Sequence, residues 1–557
     1  CLAIIEEGGG SFDSFIHVRN GGLRDVRRAC DGCSCVKSPD EVENPDLVLT
    51  DLRDTRAGVM KRLVRKAPVV ALDDLGAGRK QAHFTVYALP NLEGECGNCS
   101  GPRYLVTGGG LKNVRPLPFY EKKGVLVSFG GSDPFDLTGF VVPILNEIGI
   151  EPTVVAGPLF KKRPAGVRAH VLENPDRMHE LISGARVLIT SFGLTMYEAF
   201  YLRTPVILFN HSEYHFRLAE TVSDLNLGYR GSMDRDRLRE ALAVLLGDEK
   251  RLSKSARRAA GTVDGRGAAR VVSLMKNASR SRRRDCFFRH GRYTAVRRSP
   301  EYTLFRCRVC GDLFLRETEP LPPIYDGESY FIEEYRRQYG RTYIEDRETI
   351  EKVGQRRFGV LRELAGASGT LLDVGCALGF FLRLAAAGGW RATGVEISSF
   401  AARWGRENLS ADIREGSFLE VELPAESFDA VCFFFTAEHF SMVEELFEKA
   451  HRLLKRGGVV AFALPNRSGI SYRLRRRSYL REHPRDHYFD TTPRNLTGIL
   501  RENGFRKRRI YSTGIHPERF FGTRFGGKRG GVLDLLYTAC AKALRLGDTF
   551  EYYGTKI

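Results

Sequence analysis

At 557 residues the chain exceeds what one hydrophobic core can organise, and three or four compact units are expected. An apolar content of 42% with 10% aromatic residues excludes a largely disordered protein, and no apolar run approaches the roughly 20 residues a membrane-spanning helix needs. The formal charge of +18, from 86 basic and 68 acidic side chains, suits anionic partners. Much of that excess sits in two Arg-rich patches, Arg280–Arg298 and Arg473–Arg481, so a basic linker and one basic loop account for it as well as a nucleic-acid footprint does. Nucleic acid is not the favoured partner, because no recognised reading module accompanies the charge. No secretory leader is read, and the twelve cysteines, several in x2-spaced pairs, read as reduced thiols or metal ligands. Both point to the cytoplasm.

Residues 1–118 alternate short apolar runs with polar segments. Asp46–Asp51 and Ala67–Asp73 have the form of buried parallel strands in an α/β unit. Residues 119–278 form a second α/β unit, with strands at Gly124–Phe129, Glu151–Ala156, Ala185–Thr190 and Thr204–Phe209, closing in a charged helical stretch from Asp234 to Met275. Residues 279–300, rich in arginine, read as a basic linker, and residues 301–349 as a small aromatic-rich module with cysteines. Residues 350–557 carry strands at Thr370–Gly375, Arg391–Ile397, Phe428–Phe435, Gly458–Leu464, Arg506–Tyr511 and Phe550–Lys556. Helical stretches separate most of them, the pattern of a doubly wound sheet. No internal repeat or low-complexity tract is present.

Within that last unit, Leu371-Leu-Asp-Val-Gly-Cys-Ala-Leu-Gly379 is a strand breaking into a small-residue turn before the helix Phe380–Ala387. Such a turn lets backbone pass close to a ligand at the carboxyl end of the strand, and Asp373 can accept hydrogen bonds from a cationic amino group. A glycine turn alone is weak, since nicotinamide enzymes share it. The discriminating residue is Glu396, at the end of the next strand, where a carboxylate can take both hydroxyls of a ribose. With Phe428-Asp-Ala-Val-Cys-Phe-Phe-Phe435, Leu453–Asn466 and the closing Phe550-Glu-Tyr-Tyr-Gly-Thr-Lys556, this run resembles the class I S-adenosylmethionine-dependent methyltransferases over about 200 residues. The resemblance implies a seven-stranded Rossmann-like fold and S-adenosylmethionine as cofactor. Gly375, Ala377 and Gly379 would line the methionine part, Glu396 would hold the ribose, and Ser417 would stand where the family carries an acidic adenine contact. Ala377 replaces the family's middle glycine.

Glu438-His439 follows the fourth strand, where the family's acceptor meets the donor methyl. His439 can deprotonate a hydroxyl or an activated carbon, with Glu438 or a backbone carbonyl fixing its tautomer. Sugar C-methyltransferases with a Glu-His base resemble this segment; the bland alternative is that the pair caps the helix that follows.

Phe305-Arg-Cys-Arg-Val-Cys-Gly311 is a Cys-x2-Cys knuckle that aims Cys307 and Cys310 at one tetrahedral cation, with Cys286 and His290 upstream as the other two ligands. The arrangement, with Tyr325-Asp-Gly-Glu-Ser-Tyr-Phe331 behind it, resembles the zinc-binding leader of sugar methyltransferases, and implies a zinc site or a decayed ribbon whose thiols merely pack. Cys30/Cys33 and Cys96/Cys99 are further pairs able to meet in space.

In the front half, Val125–Pro134 is a strand opening into the small-residue turn Gly130-Gly131, and Leu188–Ala199 places a second such turn at a helix N-terminus, where free amides favour a diphosphate. Glu198 sits one turn into that helix, placed to accept from a ribose. These segments resemble glycosyltransferases of the double-Rossmann GT-B type, and above all the UDP-sugar hydrolases of pseudaminic acid biosynthesis, over residues 1 to about 230. The likeness includes Val69-Val-Ala-Leu-Asp-Asp74 and Ser212-Glu-Tyr-His215. It implies UDP contacts from Gly130, Gly131, Ser191, Gly193, Thr195, Glu198 and His215. The opening Cys1-Leu-Ala-Ile reads as though cut just after the loop that carries the family's base, so the first GT-B half is expected truncated and without hydrolysis.

The expected whole is an α/β protein: a truncated GT-B-like pair of Rossmann units, a cysteine module and a methyltransferase. Its partner would be a UDP-sugar or a glycan acceptor in surface-glycan biosynthesis. An RNA methyltransferase with a basic docking module, or a methyltransferase behind a non-catalytic binding scaffold, are the competing readings.

Overall fold

A computed structural model describes residues 4, 15–16, 34–36, 41–92, 94, 97–157, 159–160, 166–280, 286–318, 327–514, 539, 541, 544 and 546–557. Cys30, Cys33, Cys96, Tyr325 and the opening Cys1-Leu-Ala lie outside them. The chain divides into two compact units, Cys1–Arg280 and Ser281–Ile557. No described helix is long and apolar enough to cross a membrane.

The first unit contains two larger parallel sheets. One has strands β1 (Val48–Asp51), β2 (Val69–Leu72), β3 (Phe84–Tyr87) and β4 (Cys99–Ser100) in that order. Every residue of β2 and β3 is buried, which explains their unbroken apolar reading. The other comprises β5 (Lys123–Val127), β6 (Thr153–Ala156), β7 (His170–Glu173), β8 (Ala185–Thr190), β9 (Val206–Asn210) and β10 (Asn226–Tyr229), ordered β10-β9-β8-β5-β6-β7. From β5 the chain winds one way to β7, then returns to the other side of β5 through β8. The direction therefore reverses between β5 and β8, where open α/β sheets form ligand crevices.

Helix α1 (Leu194–Tyr201) follows β8. The charged stretch from Asp234 resolves into three helices, and the last, α2 (Gly267–Arg280), does not stay with the second sheet. Its Val271, Val272, Leu274, Met275 and Ala278 share a core with Val70, Leu72, Phe84 and Val86 of the first. A division at residue 118 thus misassigns α2, because its apolar stripe is satisfied only against the earlier sheet.

In the second unit, residues 293–298, expected in an exposed linker, form strand β11 (Tyr293–Arg298) of an antiparallel sheet with β12 (Tyr302–Cys307), β13 (Leu313–Glu317) and a later two-residue strand, Phe489–Asp490. Arginine composition suggested solvent, but Tyr293 is buried and Arg297 lies over the Tyr302 ring at 5.4 Å, so the charges ride on an ordered strand. Because Phe489–Asp490 completes this sheet from far down the chain, the 301–349 module is built into the unit that follows rather than set apart from it.

That unit's main sheet holds β14 (Thr370–Val374), β15 (Arg391–Glu396), β16 (Asp412–Glu415), β17 (Phe428–Phe434) and β18 (Leu454–Pro465), then, past Phe489–Asp490 (β19), β20 (Phe505–Thr513) and β21 (Thr549–Lys556). The order is β16-β15-β14-β17-β18-β21-β20, with β21 antiparallel to both neighbours. Residues alternate between two faces. Leu372, Val374, Val431, Phe433 and Phe462 pack on α6 (Val443–Leu453) and α7 (Pro493–Glu502). Leu371, Ala430, Cys432, Val459 and Ala461 pack on α3 (Arg347–Ala365) and α4 (Phe380–Ala387), the latter leading through β15 to α5 (Ser399–Leu409). Glu551 of β21, 1% exposed, is held by Arg356 (2.6 and 2.7 Å) and Arg357 (2.8 Å) of α3. A buried carboxylate met by two guanidinium groups pins that helix across the sheet.

Candidate functional site

The winding of the main sheet reverses between β14 and β17, so a ligand crevice is expected at their carboxyl ends. The turn after β14 occupies that place. Gly375 has φ +71°, and a Cβ there would lie 2.5 Å from Thr436 Oγ1, so only glycine lets the turn pass the segment after β17. Ala377 also adopts a left-handed backbone (φ +49°), and Gly379 (φ +83°) opens α4.

Glu396 ends β15 at 6% exposure. Its Oε2 accepts from the Ala377 amide and its Oε1 from the Ser398 amide, both at 2.9 Å, so the carboxylate shapes the turn as well as facing the crevice. Burial raises its pKa against the pull of these amides. Asp373 is 4% exposed and accepts no hydrogen bond among the described residues. Burial pushes its pKa up to about 8, with Arg357 opposing and Glu396 adding to the rise. A buried carboxyl without a donor, beside a turn that a side chain would close, fits a ligand bearing an ammonium group and a ribose. Ser417 lies half-buried just past β16, across from Glu396 in the same edge of the sheet.

Sequence reasoning missed an aromatic strap over this turn. Phe331, from the π-helical turn Tyr330–Glu334, packs with Leu378, Phe380 and Ala401, alongside Ala377, and Tyr343 stacks on Phe380 at 5.9 Å. The rings come from a stretch with little regular periodicity, which is why they read only as a leader's tail.

Glu438 and His439 lie in the short turn Ala437–His439 after β17. They do not cap α6, whose first turn follows Met442 without a side-chain cap. His439 Nδ1 lies 3.1 Å from the Asp486 carbonyl and 3.0 Å from Asp486 Oδ2, so Asp486, not Glu438, orients the ring. His487 packs edge-on to His439 at 5.0 Å. Burial opposes charge on His487, but Asp490, Glu438 and Asp486 outweigh it and hold its pKa up to about 9. Burial pushes the Glu438 carboxyl up. This half of the cluster comes from His483-Pro-Arg-Asp-His-Tyr-Phe-Asp490, a segment just past the basic patch Arg473–Arg481 that sequence reasoning passed over.

Cys286, His290, Cys307 and Cys310 are brought together: one ligand atom from each lies within 4.8 Å of the others. Three sulfurs and an imidazole at this spacing fit a tetrahedral zinc. Left-handed Arg289, inside the irregular Cys-x3-His pair, and Gly291, just after it, turn the chain ahead of β11.

In the first unit, the turn at Gly130-Gly131 and the turn Ser191–Gly193 end neighbouring strands β5 and β8, at that sheet's own reversal. Gly130 has φ +81°, and Gly131 approaches Gly157 so closely that a Cβ on Gly157 would lie 2.5 Å from its Cα. Thr195 and Glu198 are half-buried on α1, and Glu198 Oε1 lies 3.4 Å from His179 Nε2. His215 follows β9, with its Nδ1 2.9 Å from Ser212 Oγ and its ring 3.9 Å from that of His211, which stacks on Phe135. Burial, aided by His211 and Arg53, holds His215 down at about 4. His211, Phe135 and His179 were not foreseen.

Residues 343–510 match the family model described as a methyltransferase domain. Residues 343–510 therefore form a methyltransferase domain on a Rossmann-like sheet. Among curated proteins, an uncharacterised protein of Methanocaldococcus jannaschii is 32% identical over 130 residues, covering 20% of this chain and 27% of that protein. The chain thus spans about a quarter of that relative's length. Similar solved structures include a SAM-dependent methyltransferase of Archaeoglobus fulgidus (17% identity, TM-score 0.32, 41% of this chain and 100% of that one). Another is geranyl diphosphate C-methyltransferase of Streptomyces coelicolor (15%, TM-score 0.27, 36% and 77%).

Proposed function

We propose that the chain joins a methyltransferase acting on a sugar or nucleotide-sugar of surface-glycan biosynthesis to an N-terminal unit of GT-B type that binds a UDP-sugar. The observation that carries this reading is in the first unit. Two small-residue turns, Gly130-Gly131 and Ser191–Gly193, end adjacent parallel strands at the reversal of the sheet, one of them at a helix N-terminus. Backbone amides converging there suit a diphosphate, with Thr195, Glu198 and His215 around it.

In the C-terminal unit, Gly375, Ala377 and Gly379 cradle the donor's methionine part, Asp373 meets its ammonium, Glu396 its ribose and Ser417 its adenine. The group they hold supplies an electrophilic methyl. Glu438 and His439 stand across the β14–β17 reversal from this cradle and activate the acceptor. Cys286, His290, Cys307 and Cys310 hold a structural zinc, which suits a reducing compartment such as the cytoplasm.

Thermal unfolding of the full chain tests both halves. S-Adenosylhomocysteine and UDP should each raise a melting temperature, because a ligand that binds only the folded state stabilises it. A shift with S-adenosylhomocysteine but none with millimolar UDP, with salt-sensitive retention of RNA, would replace this reading by that of an RNA methyltransferase.

A further inference from the structure

The segment His483–Asp490 belongs to neither the donor cradle nor the cysteine cluster. Asp490 and Phe489 pair with Leu313 and Phe314, and the Tyr488 amide donates to the Glu438 carbonyl at 2.7 Å. That bond clamps His487 against the turn that carries Glu438 and His439. One ligand atom from each of Glu438, His439 and His487 lies within 4.8 Å of the others.

Two further features distinguish this trio from a packed polar core. Each imidazole has a carboxylate behind its Nδ1: Asp486 Oδ2 at 3.0 Å from His439, and Asp490 Oδ1 at 3.5 Å from His487. Ligating histidines carry such partners, which orient the ring and strengthen it as a donor. Glu438 is 1% exposed, and its Oε2 is buried without a hydrogen-bond partner among the described residues. No hydrogen bond joins it to either imidazole among those residues. A buried carboxylate oxygen in this state lacks the hydrogen bond that would offset its desolvation. The spacing of the trio suits bonds of roughly 2.0–2.2 Å to one shared ion better than direct contact.

We propose that Glu438, His439 and His487 bind a divalent first-row transition-metal cation that holds and activates the methyl acceptor. Two imidazoles and one carboxylate leave coordination positions open, the mark of a reactive rather than a structural site. Those positions suit an acceptor hydroxyl together with a neighbouring oxygen. Bound there, the hydroxyl yields its proton to water, its oxygen forms the new C–O bond as the donor's S–CH3 bond breaks, and S-adenosylhomocysteine leaves. The catalytic part of this inference rests on the acceptor-side role given to Glu438 and His439 above; the binding of the cation does not.

Titration of the metal-free full chain with Co2+ tests it. Ions bound by the cysteine set give thiolate-to-cobalt absorption, whereas an ion at this trio gives none. The wild type should bind one Co2+ without that absorption. Glu438→Gln and His487→Gln should each weaken it by at least about tenfold, while S-adenosylhomocysteine binding, which reports an intact fold, is kept. Cys307→Ser should leave it unchanged. Absence of such an ion in the wild type, or its persistence at unchanged affinity in both folded variants, would overturn the proposal. Failure of the wild type to bind S-adenosylhomocysteine would instead strike the donor site and leave the cobalt titration to decide the cation.

Discussion

Donor binding should release a proton from Asp373. The carboxyl is 4% exposed, and its pKa of about 8, caused chiefly by burial, leaves it mostly neutral at neutral pH. The donor's ammonium requires the carboxylate, so below that pKa each unit of pH costs about 1.4 kcal/mol of binding, or about tenfold. Affinity for S-adenosylhomocysteine should thus rise about tenfold per unit from pH 6 to 8 and then level. Without donor the same group acts on folding in the opposite sense. Its folded pKa lies above the ordinary 3.8, so its ionisation weakens the empty fold as pH rises from 3.8 toward 8. Calorimetry at neutral pH, in buffers of different ionisation enthalpy, should read about one proton released per ligand. Asp373→Asn should abolish that release and flatten the pH dependence. Above pH 8 it should bind more weakly than the wild type by about 1.5–3 kcal/mol, the worth of a hydrogen bond to a charged group. Proton release that persists in Asp373→Asn, or none in the wild type, would refute the assignment.

Glu396→Ala should weaken S-adenosylhomocysteine by about 1.5–3 kcal/mol and lower the melting temperature as well, since the Ala377 and Ser398 amides lose their acceptor. Unchanged affinity by calorimetry would remove Glu396 from the ribose. Protein purified without chelators should carry zinc, and elemental analysis of Cys307→Ser should show that zinc lost while the first unit still melts cooperatively. Glu198→Ala should remove most of the UDP-induced thermal shift, and a full shift in that variant would exclude Glu198 from the nucleotide site.

What could be read from the sequence was mostly local. Leu371–Gly379 is strand and turn within nine residues, with the helix starting at Phe380, and the positive φ values of Gly375 and Gly379 fall at the residues the turn required. Glu396 is the last residue of its strand, so its place at the sheet edge follows from the strand alone. The errors came from long-range pairing. Residues 293–298 looked like linker because their arginines dominate the composition, yet β12 supplies the strand partners that order them. Helix α2 has a clear apolar stripe, but nothing local says that the stripe belongs with Val70 and Phe84 rather than with the sheet just before it. The orientation of His439 depends on Asp486, 47 residues away, and Glu438 could not be known to lack the ring as its partner until β19 brought His487 beside it.

The most direct measurement incubates the full chain with S-adenosylmethionine and a panel of UDP-sugars and follows the sugars by mass spectrometry. At least one should gain a single methyl group, in step with formation of S-adenosylhomocysteine, and above pH 8 the gain at limiting S-adenosylmethionine should be slower in Asp373→Asn than in the wild type. S-Adenosylhomocysteine binding without methylation of any sugar, together with methyl transfer to RNA, would contradict the account.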